Sequence, residues 1–236
     1  MRYPPGTPSW VELRSPDLDA SAHFYKGLLG WDTTAGSGVF TLEGDEVAGL
    51  SALEPGARPG WLTHIAVADT ATVEERVEAA GGSVVAAGLF SDAEGAVFAA
   101  SQRGAERVNA PGALSMNELR TRSIDVASSF YGDAFGWTVQ PIEQGGATVY
   151  GSVQLDGRLV AGMLPMGEAF PPALPAHWVP YFGVEDLEDA AARALELGAH
   201  VLAGPIDVPA GRFTALADPH GAALAIWHGT YDDPPG

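Results

Sequence analysis

The sequence predicts an α+β protein made of two tandem copies of one domain, and three observations carry that prediction. Glu12-Leu13-Arg14, Asp19, Phe24-Tyr25 and Gly30-Trp31 return as Glu118-Leu119-Arg120, Asp125, Phe130-Tyr131 and Gly136-Trp137, always 106 residues later. A register held from residue 12 to residue 31 marks an internal duplication. A second block repeats at a spacing of 117: His64-x-x-Val67-x-Asp69 meets Tyr181-x-x-Val184-x-Asp186, and Arg76, Gly81 and Val84 meet Arg193, Gly198 and Val201. Finally, each half of each copy reads as a strand, a helix and then two or three strands. The predicted domains are residues 1–112 and 113–236, joined at Asn109-Ala110-Pro111-Gly112.

Each element has a local cause. Ser9 to Leu13 alternates, and Ser15-Pro16-Asp17 signals a helix start. The helix predicted over Leu18–Leu29 carries Ala20, Phe24 and Leu28 on one face, with Gly30 as its stop. Val39–Leu42 and Val47–Leu53 flank the turn Glu43-Gly44-Asp45. The second half gives a strand at Trp61–Val67, a helix at Val73–Ala80 stopped by Gly81-Gly82, and strands at Val84–Ala87, Val97–Ala100 and Ala105–Val108. Copy two predicts a strand at Ser115–Leu119, a helix near Val126–Phe135 and strands near Thr148–Leu155 and Leu159–Leu164. After the Pro-rich loop Pro165–Ala176 come a strand at Trp178–Val184 and a helix at Leu187–Leu197 stopped by Gly198. Strands at His200–Leu202, Phe213–Leu216 and Ala223–Trp227 complete the copy. The two spacings differ by 11 residues, and the extra length belongs around the Pro-rich loop, where the copies should differ in ligand access. The tail Asp232–Gly236 should be loose.

Composition narrows the function classes. The chain has 236 residues, 12 basic against 30 acidic side chains and a net charge of −18. That charge opposes binding to nucleic acid or anionic membranes, and the scattered cations form no patch to offset it. With 0 cysteines there is no disulfide, thiolate metal site or cysteine nucleophile. No run approaches the roughly 20 apolar residues of a membrane span, and Met1–Gly6 has no apolar core of a signal peptide. The expectation is a cytoplasmic protein with a small organic ligand as its partner, no nucleic acid or membrane partner, and a monomeric or homodimeric state.

Phe24-Tyr25…Gly30-Trp31, Phe130-Tyr131…Gly136-Trp137 and Asp218-Pro219-His220-Gly221 resemble the motifs of the vicinal oxygen chelate superfamily, which includes glyoxalase I, extradiol dioxygenases and bleomycin-resistance proteins. The layout is similar to two-domain actinobacterial glyoxalase-like proteins loosely called hydroxylases. In copy one the closing motif is expected at Ser101-Gln102-Arg103-Gly104. The resemblance implies paired βαβββ modules that curl into a half-barrel with the ligand in its concave face. It also implies where metal-using members carry donors: Trp10 and Met116 on the first strand, Leu62 and Val179 on the fifth, Val108 and Ala225 on the last. All six are non-ligands, and a catalytic divalent site wants about three protein donors. A relocated site on Glu12 and His64 would have two. No metal and no cofactor are therefore expected.

Counting by twos names the inward side chains. Trp10, Met116 and Trp227 suit a flat, mostly apolar ligand, with Trp178 at the lip beside His177. Glu12 and Glu118 are the candidate acids or bases, with His64 and Tyr181 as proton-transfer partners. Each has a bland counterpart: an ion pair of the glutamates with Arg14 and Arg120, and a hydrogen-bonded core role for His64. Tyr25 and Tyr131 read as core residues, Asp218 and Gly221 as turn formers. Two functions follow. One is metal-free binding of a small molecule in secondary metabolism or detoxification, as in antibiotic-resistance relatives. The other is a lyase or isomerase using the cavity Glu, His and Tyr groups on a carbonyl or polyketide-like substrate, with a glyoxalase-type enzyme as a further form.

Overall fold

The computed structural model describes residues 3–34 and 36–230; the tail over Asp232–Gly236 lies outside them. Among the described residues sixteen strands form two eight-stranded sheets, with four helices packed on them. The first sheet contains β1 (Pro8–Ser15), β2 (Asp32–Thr33), β3 (Val39–Leu42), β4 (Asp45–Ala52), β5 (Gly60–Ala66), β6 (Ser83–Ala86), β7 (Leu89–Ser91) and β8 (Val97–Ser101). Its order is β2-β3-β4-β1-β5-β8-β7-β6. Helices α1 (Leu18–Leu29) and α2 (Ala71–Ala79) follow β1 and β5. The second sheet repeats this with β9 (Leu114–Thr121), α3 (Ile124–Phe135), β10 (Thr138–Gln144), β11 (Ala147–Leu155), β12 (Arg158–Pro165), β13 (His177–Gly183), α4 (Leu187–Glu196), β14 (His200–Val208), β15 (Gly211–Ala217) and β16 (Ala223–Gly229). Its order is β10-β11-β12-β9-β13-β16-β15-β14. Each sheet is two βαβββ modules joined where their first strands pair antiparallel, β1 with β5 and β9 with β13.

The helix ends follow from the repeated wording. Asp17 and Ser123 cap α1 and α3 by accepting from the backbone N–H of Ala20 (2.9 Å) and Val126 (3.3 Å). Gly30 and Gly136 end the same helices at φ 75° and 78°, a conformation that favours glycine.

Burial divides every central strand into two faces. Val11 and Leu13 pack with α1, and Leu119 packs with α3. The helix-side core then crosses between copies. Phe24, Tyr25, Trp31 and Trp61 join Phe182, Leu187, Ala194 and Ile226 in one cluster, while Phe90 and Phe98 join Phe130, Tyr131 and Trp178 in the other. The two sheets are thus packed through their helix sides, and their concave faces point away from each other.

The repeated aromatic residues brace this contact reciprocally. Tyr25 Oη donates to Asp218 (3.1 Å) and Tyr131 Oη to Asp92 (3.1 Å). Trp31 Nε1 donates to the Gly112 carbonyl (2.6 Å) and Trp137 Nε1 to the Gly6 carbonyl (2.7 Å). Buried hydroxyl and indole groups need such partners, which is why these residue types recur at fixed places in both copies.

Several sequence expectations are corrected. The closing motif of copy one is Asp92-Ala93-Glu94-Gly95, not Ser101–Gly104. Asp92 Oδ1 accepts from the N–H of Glu94 (2.9 Å) and Ala96 (2.8 Å), as Asp218 Oδ1 does from His220 and Ala222 (2.9 Å each). The last-strand position in copy one is therefore Ala99, which pairs with His64, rather than Val108. Ala105–Val108 is not a strand; it is chain packed onto Trp10. Strands β2, β7 and β10 escaped the pattern because they are short or largely exposed at sheet edges and carry no clean alternation.

Candidate functional site on the concave faces

The cross-strand register places Trp10, His64 and Ala99 in one row of the first sheet, and Met116, Tyr181 and Ala225 in the matching row of the second. The fifth-strand neighbour in each row is thus His64 or Tyr181, not Leu62 or Val179, which pair with Glu12 and Glu118. Each row offers one polar side chain capable of holding a metal. Among the described residues no three His, Asp or Glu side chains converge. Among the described residues each row thus offers fewer than the about three protein donors of a catalytic divalent site.

The second sheet builds its face around Glu118, which is 3 % exposed. Its Oε1 accepts from Arg120 Nε at 2.7 Å, and Arg120 Nη2 donates to Tyr181 Oη at 3.4 Å. Burial raises the Glu118 pKa against the opposing pull of Arg120, and raises that of Tyr181 as well. Tyr150 from β11 adds a hydroxyl directed at Met116 Sδ (3.7 Å), and burial pushes its pKa up too. The phenol ring fits because Gly162 lies beneath it; a Cβ there would collide with the hydroxyl. Around this polar floor stand Met116, Phe213, Ala223 and Trp227, all half-buried, packed against Val179 and Ala225.

The Pro-rich loop reaches the same face. Phe170 places its ring 5.7 Å from the Arg120 guanidinium. Arg122 fixes the loop by donating to the carbonyls of Met166 (3.1 Å), Pro171 (2.6 Å) and Leu174 (2.9 Å).

The first sheet handles the equivalent glutamate differently. Glu12 Oε1 accepts from Ser51 Oγ at 2.7 Å, and its other oxygen lies 3.9 Å from His64 Nε2. Ser51 faces Arg14 in the register, where Leu164 faces Arg120 in copy two. Without a serine hydroxyl, Glu118 takes Arg120. Desolvation lowers the His64 pKa to about 4, partly countered by Glu12. Trp10 is fully buried under Val39, Ala105 and Val108, with the Arg103 guanidinium 4.6 Å from its ring centroid.

The predicted site residues thus separate into two groups. Glu118, Tyr181, Met116 and Trp227 come together on the second face; Glu12, His64 and Trp10 come together on the first. Trp178 belongs to neither. It lies on the helix side, and its Nε1 donates to Tyr131 Oη at 3.2 Å. Its expected place at the lip is corrected, because alternation along β13 turns it away from His177, Val179 and Tyr181. Sequence reasoning missed Tyr150, Phe213 and Phe170. Glycine inside the β12 pattern was the available signal for Tyr150. A separate cleft of about 390 Å³ lies on the helix side between α1 and α4, lined by Leu28, Pro111, Val184 and Asp186. There Asp186 is occupied in capping α4 through the Asp189 N–H (2.8 Å).

Comparison with known proteins agrees with this architecture. Residues 116–227 match the family model for a glyoxalase-like domain. The chain is 36% identical over 253 aligned positions to "Putative glyoxylase CFP32" of Mycobacterium tuberculosis (strain CDC 1551 / Oshkosh), covering 95% of each chain. It is 34% identical over 262 positions to "Anthracycline biosynthesis protein DauV" of Streptomyces sp. (strain C5), covering 95% of this chain and 94% of that one. A Mn(II)-bound glyoxalase from Novosphingobium aromaticivorans has the same fold, with a TM-score of 0.65 at 19% identity, over 98% of this chain and 86% of that one. With relatives this similar along nearly its whole length, the chain belongs to the glyoxalase-like family of the vicinal oxygen chelate superfamily.

Proposed function

We propose that the protein binds a flat, mostly apolar organic molecule on the concave face of its second sheet, without a metal, in secondary metabolism or detoxification. The observation that carries the reading is the half-buried apolar wall of Met116, Phe213 and Trp227 around the buried Glu118–Arg120–Tyr181 cluster. Such a wall favours a planar ring system, while a few fixed polar groups at its floor select orientation. The similarity to proteins described as acting in anthracycline biosynthesis supports a polycyclic aromatic ligand. Sequestration of such a molecule would also serve antibiotic resistance.

A second reading rests on Glu118 itself. A buried carboxylate whose pKa is raised, with the Tyr150 and Tyr181 hydroxyls close by, suits proton transfer at a carbon next to a carbonyl, as in a lyase or isomerase. In that role Glu118 takes the proton, and a tyrosine hydroxyl hydrogen-bonds the developing oxyanion.

The test is titration with a soluble anthraquinone sulfonate, followed by tryptophan fluorescence, with and without EDTA. Binding that is unchanged by chelation is expected; loss of binding on metal removal would overturn the metal-free reading. Turnover of a ligand by wild type and its abolition in Glu118→Gln would select the catalytic form over simple binding.

A further inference from the structure

The first concave face carries an unresolved polar arrangement. Trp10 Nε1 and His64 Nε2 are both buried and have no hydrogen-bond partner. Ser101 Oγ accepts from the Arg103 backbone N–H (3.2 Å) and lies 3.0 Å from His64 Nδ1. With the Ser101 hydroxyl donating to Nδ1, the Glu12 carboxylate facing Nε2 favours the tautomer that carries its proton there. That donor faces Glu12 Oε2 across 3.9 Å, too far for a direct hydrogen bond and a separation that one oxygen atom could bridge. Glu12 holds its other oxygen on Ser51, so the facing oxygen is the one left to accept.

Buried donors without partners are rare in native proteins, and each is unfavourable compared with a satisfied one. Val39, Ala105 and Val108 pack on Trp10, and only the solvent-side part of the cover is lightly held. Arg103 lies over the Trp10 ring, its side chain is 44% exposed, and its ion pair is a 3.3 Å surface contact with Glu46. Surface pairs of this kind contribute little.

We propose that the first domain carries a second small-molecule site, closed in this structure by Arg103, that takes a phenol. The aromatic ring would replace the guanidinium on Trp10. The hydroxyl would enter the gap, accepting from His64 Nε2–H and donating to Glu12 Oε2. An anionic ligand is disfavoured by Glu12, and a plain hydrocarbon would leave the His64 donor unpaired. This site is independent of the ligand proposed for the second sheet.

Phenol itself is the probe, read by ¹H–¹⁵N NMR on the full chain. The Trp10 indole signal is assigned by its loss in Trp10→Phe, and Trp227 serves as the reporter for the other face. Phenol should shift the Trp10 signal, and Arg103→Ala should bind about threefold tighter because the cover is gone. His64→Phe should bind about tenfold more weakly through loss of the hydroxyl's donor. A Trp10 signal unmoved to the solubility limit of phenol, or equal affinity in Arg103→Ala, would overturn the proposal. So would a phenol-soaked crystal holding only water in the gap. Arg103 is exposed, so its variant keeps the test sound even if His64→Phe folds poorly.

Discussion

The first sheet covers the centre of its concave face with its own chain, through Ala105 and Val108 packed on Trp10, whereas the second presents Met116, Phe213 and Trp227 half-buried around a polar floor. Both copies keep the glutamate of the repeated Glu-Leu-Arg wording, but they satisfy it differently. Glu12 takes a serine hydroxyl and stays partly exposed; Glu118 is sealed in and takes Arg120. The difference arises on the neighbouring parallel strand, where Ser51 in β4 is replaced by Leu164 in β12. Duplication therefore conserved the frame and released the faces: identical residues at strand positions bear different burdens once one neighbour changes.

The sharpest way to break this comparison is to remove the two arginines separately. Arg120→Met leaves a buried carboxylate without its partner and should cost about 3–5 kcal/mol, whereas Arg14→Met should cost about 0–1 kcal/mol. Urea unfolding of both variants measures the contrast, and equal losses would contradict it.

The next effect is a pH dependence peculiar to the first face. His64 has its pKa lowered by burial from 6.5 to about 4, so the unfolded chain takes up a proton at a pH where the folded one does not. Its contribution is fully present above pH 6.5 and is lost as pH falls towards 4, amounting to about 3 kcal/mol across that window. His64→Phe should flatten the stability curve there. Glu118 acts in the opposite sense: its raised pKa makes the ionised form a burden that grows as pH rises above the ordinary glutamate value, and Glu118→Gln should remove that trend.

Smaller still are the interdomain braces. Tyr25→Phe and Tyr131→Phe should each cost about 1–2 kcal/mol by leaving Oδ2 of a buried aspartate without its tyrosine donor. Tyr131→Phe should be the larger, because its hydroxyl also accepts from Trp178 Nε1 at 3.2 Å, whereas Trp61 Nε1 lies near the Tyr25 hydroxyl without the geometry of a full hydrogen bond. Paired denaturation curves decide the order.

How much was legible in the sequence follows from these same residues. The duplication, both helix-capping patterns and the inward set Trp10-Glu12-Arg14 and Met116-Glu118-Arg120 could be read directly, since a period of two along a strand fixes its faces. The reciprocal pairing of Tyr25 with Asp218 and Tyr131 with Asp92 could not, because it joins residues of different copies. The closing motif Asp92-Ala93-Glu94-Gly95 was missed for a related reason. It lies 126 residues from Asp218-Pro219-His220-Gly221, outside the two spacings that revealed the repeat. Trp178 was misplaced by reading its position next to His177 as closeness to the cavity, where one step along a strand reverses the side chain.

The central claim is that the second concave face holds the ligand. A crystal structure soaked with the anthraquinone sulfonate tests it most directly. The ring system should lie against Met116, Phe213 and Trp227, with a polar edge towards Arg120 and Tyr181. Density confined to the first sheet, or to the helix-side cleft beside Leu28 and Pro111, would contradict it.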